Sequence, residues 1–174
     1  MAELNYEVLD TTNSEAVAAY EKGVYRAFVP YETPALTSVW DFDHKARRVV
    51  SKIPYSSQVI FVGKLDSATV SGVSVNLNMN EELQLEMMGF EIDKSQNGLA
   101  EGLGVFNLQV FSGVNPIAIL LKKFAFKKIQ ELDISIMYGT CSDRVLRGYQ
   151  ALGWKAVDER VFMDEKKYLL EIIV

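Results

Sequence analysis

The sequence contains a single cysteine, Cys141, and a single histidine, His44. One cysteine excludes an intrachain disulfide and is typical of a protein from a reducing compartment. One histidine and one cysteine also argue against a transition-metal site. We therefore expect neither a disulfide framework nor a metal centre.

Long apolar runs are absent as well. The longest, such as residues 117–121, contain roughly five residues, whereas a membrane-spanning helix needs about 20. The first ten residues, MAELNYEVLD, have neither the basic start nor the apolar stretch of a secretory signal. These absences predict a soluble, cytoplasmic protein without a membrane partner.

Positive charge is not in excess. The 18 Lys and Arg residues are outnumbered by 23 Asp and Glu residues, which gives a net charge of −5, so a nucleic-acid partner is not expected. The content of 49% hydrophobic and 24% charged residues is ordinary for a globular protein. A chain of 174 residues is most simply one domain, residues 1–174.

The spacing of apolar residues predicts β-strands along much of the chain. Between residues 73 and 79, apolar residues alternate strictly with Ser and Asn, which is typical of a half-buried strand. Gly102 and Gly104 lie inside another strand pattern and predict a bulge or a close backbone approach. The predicted strands are residues 6–8, 58–65, 73–79, 83–87, 99–111, 134–136, 154–162 and 168–174.

Helical spacing predicts four helices. Thr12 and Glu15 have the spacing of a capping box at the start of the first helix, which continues to Phe28. The others are predicted at residues 42–53, from Asn115-Pro116 onward, and at residues 142–152. The resulting order β-α-α-β-β-β-β-α-β-α-β-β predicts an α/β fold with a central, mostly antiparallel mixed sheet flanked by helices.

The stretch from Ser142 to Trp154 resembles a motif of the GCN5-related N-acetyltransferase (GNAT) superfamily. Many members carry an Asn, a Leu-Tyr pair and then Leu-Gly-Phe. Here Tyr149 stands at the tyrosine and Leu152-Gly153-Trp154 at the Leu-Gly-Phe, while Ser142 occupies the Asn position. The resemblance covers the chain well from about residue 58 to its end, and residues 1–57 by the order of elements.

A second family signature is matched only in part. It consists of Arg or Gln, two residues, Gly, one residue, and then Gly or Ala, and in the family its N–H groups hold the pyrophosphate of coenzyme A. The chain has Gln109, but Gly113 is displaced by one residue and Val114 replaces the small residue. This departure predicts weaker nucleotide binding, although the helix start at Asn115-Pro116 could still bind an anion.

Acyl-homoserine lactone synthases and N-acyl amino acid synthases share this fold and take acyl chains from acyl carrier protein. The chain resembles that branch in Trp40-Asp41-Phe42-Asp43-His44 and in Ala100-Glu101. The resemblance therefore implies a thioester co-substrate, either acetyl-CoA, another acyl-CoA or a phosphopantetheine thioester on acyl carrier protein.

The implied function is that of an N-acyltransferase, in which a small amine attacks the thioester directly. The alternative is a catalytically inactive module of the same fold that binds an acyl thioester or a protein partner. A homodimer is one of the oligomeric states that the sequence leaves open.

The resemblance also assigns site residues. Tyr149 is the implied general acid for the departing thiolate, and Glu101 and Glu86 are the candidate bases. Each has a plainer interpretation, Tyr149 as a core aromatic under Trp154 and the glutamates as solvent-side residues of strands. The residues assigned to the donor are Phe106, Asn107, Leu108, Gln109, Val110, Ser112, Gly113, Val114, Asn115 and Ile117.

Two further interpretations stay open. Cys141 is expected to be a buried structural thiol, with a Cys-His nucleophile pair with His44 as the alternative. The aromatic residues Tyr25, Tyr31 and Trp40 could form the wall of an acceptor pocket or fill the core between helices.

Overall fold

A seven-stranded sheet forms the centre of the protein. The structure is a computed structural model that describes residues 4–108 and 120–174. The strands are β1 (Leu4–Val8), β2 (Trp40–Asp43), β3 (Arg48–Ser51), β4 (Gln58–Leu65), β5 (Ala68–Asn76), β6 (Leu99–Asn107), β7 (Ile136–Ser142), β8 (Lys155–Phe162) and β9 (Glu165–Ile173). The order in the sheet is β1-β4-β5-β6-β7-β9-β8, while β2 and β3 form a separate hairpin. The pair β6–β7 is parallel and the other pairs are antiparallel. The sheet is thus mixed and mostly antiparallel, as the sequence predicted.

Helices cover both faces of this sheet. They are α1 (Ser14–Phe28), α2 (Pro34–Thr37), α3 (Gln84–Met87), α4 (Phe126–Gln130) and α5 (Asp143–Ala151). A π-helical segment, Leu120–Ala125, runs directly into α4. The predicted helix start at Asn115-Pro116 lies outside the described residues.

Two hydrophobic cores lie on opposite faces of the sheet. The α1-side core includes Tyr20, Val24, Trp40, Leu85 and Phe106. The α4-side core includes Phe61, Leu120, Ile129, Trp154 and Leu170. Because both faces are packed, β5 is buried along most of its length. The prediction of a half-buried strand at 73–79 is therefore wrong, because β5 is buried on both faces. The strand also ends earlier than predicted, at Asn76.

Residues 42–53, predicted as a helix, form most of the β2–β3 hairpin instead. The strands pair from Trp40↔Ser51 to Asp43↔Arg48. In the turn, Asp43 Oδ1 accepts the Ala46 N–H at 2.8 Å. Trp40 is buried in the α1-side core, so packing of the hairpin on that core overrides the helical spacing.

Residues 83–87, predicted as a strand, form the short helix α3. Leu83 is its N-cap residue, and the Glu86 side chain accepts the Leu83 N–H at 2.8 Å. The Glu101 carboxylate accepts the N–H groups of Gln84 and Leu85. These partners satisfy the free N–H groups of the first turn, which alternation alone could not reveal.

The predicted bulge in β6 is confirmed. Ser74 pairs with Gly104, but the next residue, Val75, pairs with Gly102, so Leu103 is the extra residue of β6. Such an insertion bends the strand and increases its twist. The bulge lies at the point where β6 separates from β7.

No helix among residues 4–108 and 120–174 is long and apolar enough to cross a membrane.

The first helix is capped one residue later than predicted. The Asn13 side chain accepts the N–H groups of Glu15 and Ala16 at 3.0 and 3.1 Å, whereas the Thr12 hydroxyl donates to Asp10. Asn13→Ala is therefore expected to lower the free energy of unfolding by about 1 kcal/mol, the usual value of an N-cap. Urea denaturation of Asn13→Ala and Thr12→Ala tests this. Equal losses in the two variants would contradict the assignment of the cap.

Candidate functional site

The two parallel strands β6 and β7 diverge and open a cleft. They are paired from Leu99↔Ile136 to Gly102↔Gly139 and separate beyond that point. A Cβ added at Gly102 would lie 3.8 Å from Cη2 of Trp154, and one at Gly139 3.6 Å from Cζ3. The Trp154 ring therefore packs directly on both glycines. The cleft that begins there has a volume of about 400 Å³ and is lined by residues from both faces of the sheet, within the usual size range of ligand sites.

Both strands turn backbone groups toward this cleft. Leu108 donates its N–H to the Val70 carbonyl at 2.7 Å, which fixes the phase of the β5–β6 ladder. In an antiparallel ladder, every second residue turns its N–H and C=O away from the partner strand. Val105, which lines the cleft, and Asn107 therefore turn their backbone groups away from β5, while the N–H of Leu108 is used within the sheet. Of the predicted donor residues, Asn107 is best placed to offer its N–H.

The opposite edge follows the same rule. Val174 donates its N–H to the Ser135 carbonyl at 2.9 Å, which fixes the phase of the β7–β9 ladder. Thr140 and Ser142 consequently turn their backbone groups toward β6. An extended ligand between the strands could pair with either edge, as in strand addition.

Tyr149 lines the cleft from helix α5. It is partly buried against the α4-side core, and its ring contacts Trp154 edge to face at a centroid distance of 5.9 Å. Burial raises the pKa of Tyr149 to about 12, with a smaller contribution from Cys141. The phenol thus keeps its proton at neutral pH while standing beside the opening of the strands.

Glu101 is buried beside the cleft without lining it. The residue is 1% exposed. Its carboxylate accepts the N–H groups of Leu85 at 2.7 Å and Gln84 at 3.2 Å, and Nδ2 of Asn76 at 3.3 Å. Burial raises the pKa of Glu101 to about 7, although these hydrogen bonds oppose the shift. The carboxylate is thus fully engaged in holding α3 against the sheet.

Gln84 carries this network to the surface of the cleft. Its side chain accepts the indole N–H of Trp40 at 2.8 Å and donates to the Leu103 carbonyl at 2.9 Å. Gln84, Trp40 and Leu103 all line the cleft. The bulge and the hairpin are thereby tied to Glu101 by buried hydrogen bonds, which are worth more in an apolar environment than in water.

Glu86, the other predicted base, lies elsewhere. It caps α3 through the Leu83 N–H and pairs with Lys94 Nζ at 2.8 Å. It is not among the described residues that line the cleft.

No family model matches the chain, and no curated protein matches its sequence. Solved structures match along its whole length. The CoA-dependent acyl-homoserine lactone synthase BjaI, in a structure with SAM and isopentyl-CoA, has a TM-score of 0.73 at 10% identity over 100% of this chain and 84% of that chain. The acyl-homoserine lactone synthase LasI has a TM-score of 0.72 at 9% identity over 99% and 91%. A GNAT-family acetyltransferase from Streptococcus pneumoniae has a TM-score of 0.62 at 12% identity over 99% of each chain.

The chain has the GNAT fold. The fold predicted from the order of elements and from the motif around Tyr149 is thus confirmed. At sequence identities of 9 to 12%, these matches show that the fold is shared and nothing more specific.

The GNAT fold of this chain also contains cleft residues that the sequence did not indicate. Lys167 and Glu165 of β9 line the cleft and form an ion pair at 2.7 Å. Both lie just before the strand predicted at 168–174. A charged residue in such a place usually faces solvent, so no sequence signal marked them.

The structure also shows where the other residues singled out in the sequence lie. Cys141 lines the cleft, and burial raises its pKa to about 11, so the thiol is neutral. His44 instead contacts Tyr25 Oη at 3.2 Å and Glu32 at 3.3 Å. Tyr31 and Trp40 line the cleft and Tyr25 is not among its described lining residues. The predicted donor residues 109–117 lie outside the described residues.

The pKa of Glu101 predicts a pH-dependent stability. A carboxyl group with a folded-state pKa of about 7 and an ordinary value of 4.5 binds its proton more tightly in the folded state. Stability from this group is therefore present below pH 4.5 and lost as the pH rises to 7, by about 3 kcal/mol at 1.36 kcal/mol per unit.

Glu101→Gln should remove this loss. Thermal unfolding between pH 4.5 and 8 is expected to show a decline in the wild type that is smaller in Glu101→Gln. Glu86→Gln, which alters the partly exposed carboxylate that caps the same first turn of α3, serves as the control. Parallel pH profiles of wild type and Glu101→Gln would contradict the shifted pKa.

Proposed function

We propose that the protein is an N-acyltransferase that moves an acyl group from a thioester to a small amine. The observation that carries the proposal is the cleft between β6 and β7, with a protonated phenol, Tyr149, in its wall. The GNAT fold of the chain supports it, because the solved structures of that fold described above are named as acetyltransferases and acyl-transferring synthases.

The donor lies between the diverging strands in this proposal. The pantetheine arm is extended and carries amide groups, so it can pair with the backbone groups of Val105 and Asn107. The Asn107 N–H, or that of Val105, polarises the thioester carbonyl. The apolar residues that line the cleft on the α4 side, among them Met137, Ile129 and Val73, accommodate the acyl group.

The chemical step is direct attack. The nitrogen lone pair of the neutral amine forms a bond to the carbonyl carbon, and the carbon–sulfur bond then breaks. Tyr149 transfers its proton to the departing sulfur, and the resulting phenolate takes the proton that the nitrogen loses. Because Tyr149 returns to its starting state, the step needs no separate carboxylate base.

Glu101 has a positioning role in this mechanism. It holds α3, and through Gln84 it fixes Trp40 and the bulge carbonyl of Leu103 at the cleft wall. This role is consistent with the three N–H groups that donate to the Glu101 carboxylate. It is also consistent with the position of Glu101 behind the cleft surface.

The proposed donor is an acyl-CoA. One structure with this fold is named as containing isopentyl-CoA. Another is named as an N-acetyltransferase from Thermoplasma acidophilum in complex with coenzyme A. A phosphopantetheine thioester on acyl carrier protein offers the same reactive arm and is the second candidate. The displaced Gly113 and the Val114 in the predicted pyrophosphate turn favour that second donor.

A binding module without catalysis is the alternative function. It is favoured by one observation, namely that both predicted bases, Glu101 and Glu86, are occupied in structural hydrogen bonds. Such a module would retain the cleft and bind a thioester without turning it over.

Tyr149→Phe separates these functions. It preserves the ring contact with Trp154 and removes the proton, so we expect turnover of an acyl-CoA and amine pair to fall at least about tenfold, the low end of general acid catalysis. Thermal stability and donor affinity should change little. Thiol release from a panel of acyl-CoA donors measures the effect.

Tyr25→Phe is the matched control, because its hydroxyl contacts His44 outside the described cleft lining. It should retain full turnover. An equally active Tyr149→Phe would make Tyr149 a core aromatic. If no acyl-CoA or acyl carrier protein thioester is consumed by the wild type, the binding module becomes the function.

The altered pyrophosphate turn gives a separate expectation for affinity. Free coenzyme A is expected to bind with a Kd weaker than about 1 µM, which corresponds to about −8 kcal/mol. Titration calorimetry measures this value. A sub-micromolar Kd would show that the displaced Gly113 does not weaken the site.

A further inference from the structure

A buried lysine lies in the cleft wall on the α1 side of the sheet. The Lys167 side chain is 6% exposed and lines the cleft, although lysine is almost never buried unless it is paired. Tyr168 and Leu170 belong to the α4-side core and Leu169 to the α1-side core. By strand alternation Lys167 faces the α1 side, opposite the face on which Tyr149 packs.

Lys167 uses one of its hydrogen-bond donors within the described part of the chain. Its Nζ donates to Glu165 Oε2 at 2.7 Å, while an ammonium group has three N–H donors. Although burial opposes it, the hydrogen bonds from Lys167 and Thr33 hold the pKa of Glu165 below its usual value. The ionised Glu165 thus keeps the ammonium in place, and two of its donors have no partner among the described residues.

A hydroxyl-bearing residue lies opposite Lys167 on the neighbouring strand. Ser142 is the register partner of Lys167 and occupies a non-hydrogen-bonded position of the ladder, where Cβ atoms are about 4.5–5.5 Å apart. It precedes α5 but makes no capping bond with its side chain. Its O–H is therefore a further donor on the same face of the sheet as Lys167, and both residues line the cleft.

The charge of the cleft differs in sign from that of the chain. Among the described residues that line it, Arg144 and Lys167 are positive and Glu165 is negative, a net charge of +1 against −5 for the whole sequence. A cleft of this kind favours an anionic group on its ligand.

The rest of this half of the cleft is apolar. Phe28, Leu36, Trp40 and Met88 line it and belong to or pack on the α1-side core. A ligand that fits both parts has an apolar body and a single anionic group.

We propose that the acceptor is an amine that carries a carboxylate, in the manner of an α-amino acid with an apolar side chain, and that Lys167 binds this carboxylate. The proposal rests on the acyl transfer proposed above. The carboxylate accepts the two remaining N–H donors of Lys167 and the Ser142 hydroxyl, and the apolar side chain packs against Trp40. The amine then faces the opening at Gly102 and Gly139, beyond which the donor lies. Glu165 acts as a positioning residue for Lys167.

Matched pairs of acceptors test this directly on the wild-type protein. Each pair consists of an amino acid and the amine that lacks its carboxylate: L-leucine and 3-methylbutylamine, L-phenylalanine and 2-phenylethylamine, L-methionine and 3-(methylthio)propylamine. Ligand-observed NMR titration gives the Kd of each without an acyl donor. We expect at least one amino acid to bind at least tenfold more tightly than its amine. Equal or weaker binding of all three amino acids would overturn the proposal.

Variants locate the effect. Lys167→Met should reduce the affinity for the preferred amino acid at least tenfold and leave that for the amine unchanged. Lys166→Met is the control, because Lys166 is the neighbouring residue on β9 and pairs with Glu159 at 3.0 Å outside the described cleft lining. Equal affinities in folded Lys167→Met and Lys166→Met would overturn the role of Lys167.

The two proposals can fail separately. The binding measurements need no thioester, so they decide the carboxylate site even if the protein turns over no donor. The Tyr149→Phe measurement decides the chemistry independently. If Lys167→Met does not fold, the wild-type comparison of matched pairs still decides whether the cleft recognises a carboxylate.

Discussion

The separation of β6 from β7 after Gly102 and Gly139 is the constraint on which the rest of the site depends. Two adjacent parallel strands would normally satisfy each other's backbone groups along their length. Here each is held on its outer side, β6 by β5 and β7 by β9, and within the described residues the two strands do not pair with each other beyond the glycines. The Trp154 ring packs over the two glycines where pairing ends. The outcome is a slot whose edges turn N–H groups inward, suited to an extended ligand.

A buried polar network keeps one wall of this slot in place. Burying a carboxylate is costly unless hydrogen bonds compensate, and Glu101 receives three from Asn76, Gln84 and Leu85. Gln84 then links Trp40 to the bulge at Leu103. The network therefore fastens the hairpin and α3, two segments with few regular backbone partners, to the central sheet. Burial in this network raises the pKa of Glu101. The arrangement of the cleft wall and the stability of the protein at neutral pH therefore both depend on this one side chain.

The two faces of the sheet divide the proposed function between them. On the α4 side, Tyr149 stands beside Cys141 and Trp154, a largely apolar environment that suits a thioester and keeps the phenol protonated. On the α1 side, Lys167, Glu165 and Ser142 supply charge and hydrogen-bond donors next to an aromatic wall. The opening between the strands joins the faces. The proposed amine and thioester thus approach the same point from opposite sides, which holds the reacting atoms in position without a covalent enzyme intermediate.

Regular segments were predictable because local periodicity and local packing agree in them. The strand at 58–65, the helix ending at Phe28 and the helix before Leu152 lie where the sequence placed them, and the motif around Tyr149 indicated the fold. Segments that depend on distant partners were not predictable. The hairpin of residues 42–53 is extended because Trp40 packs in the α1-side core. Helix α3 is helical because Glu101, 16 and 17 residues away in sequence, accepts its first N–H groups.

The same distinction holds for the site. The sequence by itself determined the fold class and marked Tyr149, because a short motif carries both. Only the tertiary structure decided which charged side chains reach the cleft. Glu101 is buried, Glu86 pairs with Lys94, and Lys167 lines the cleft. Each of these outcomes follows from contacts between strands and helices that are far apart in the chain. A charged residue on a strand has the same local pattern whether it faces water or a ligand, and packing alone distinguishes the two.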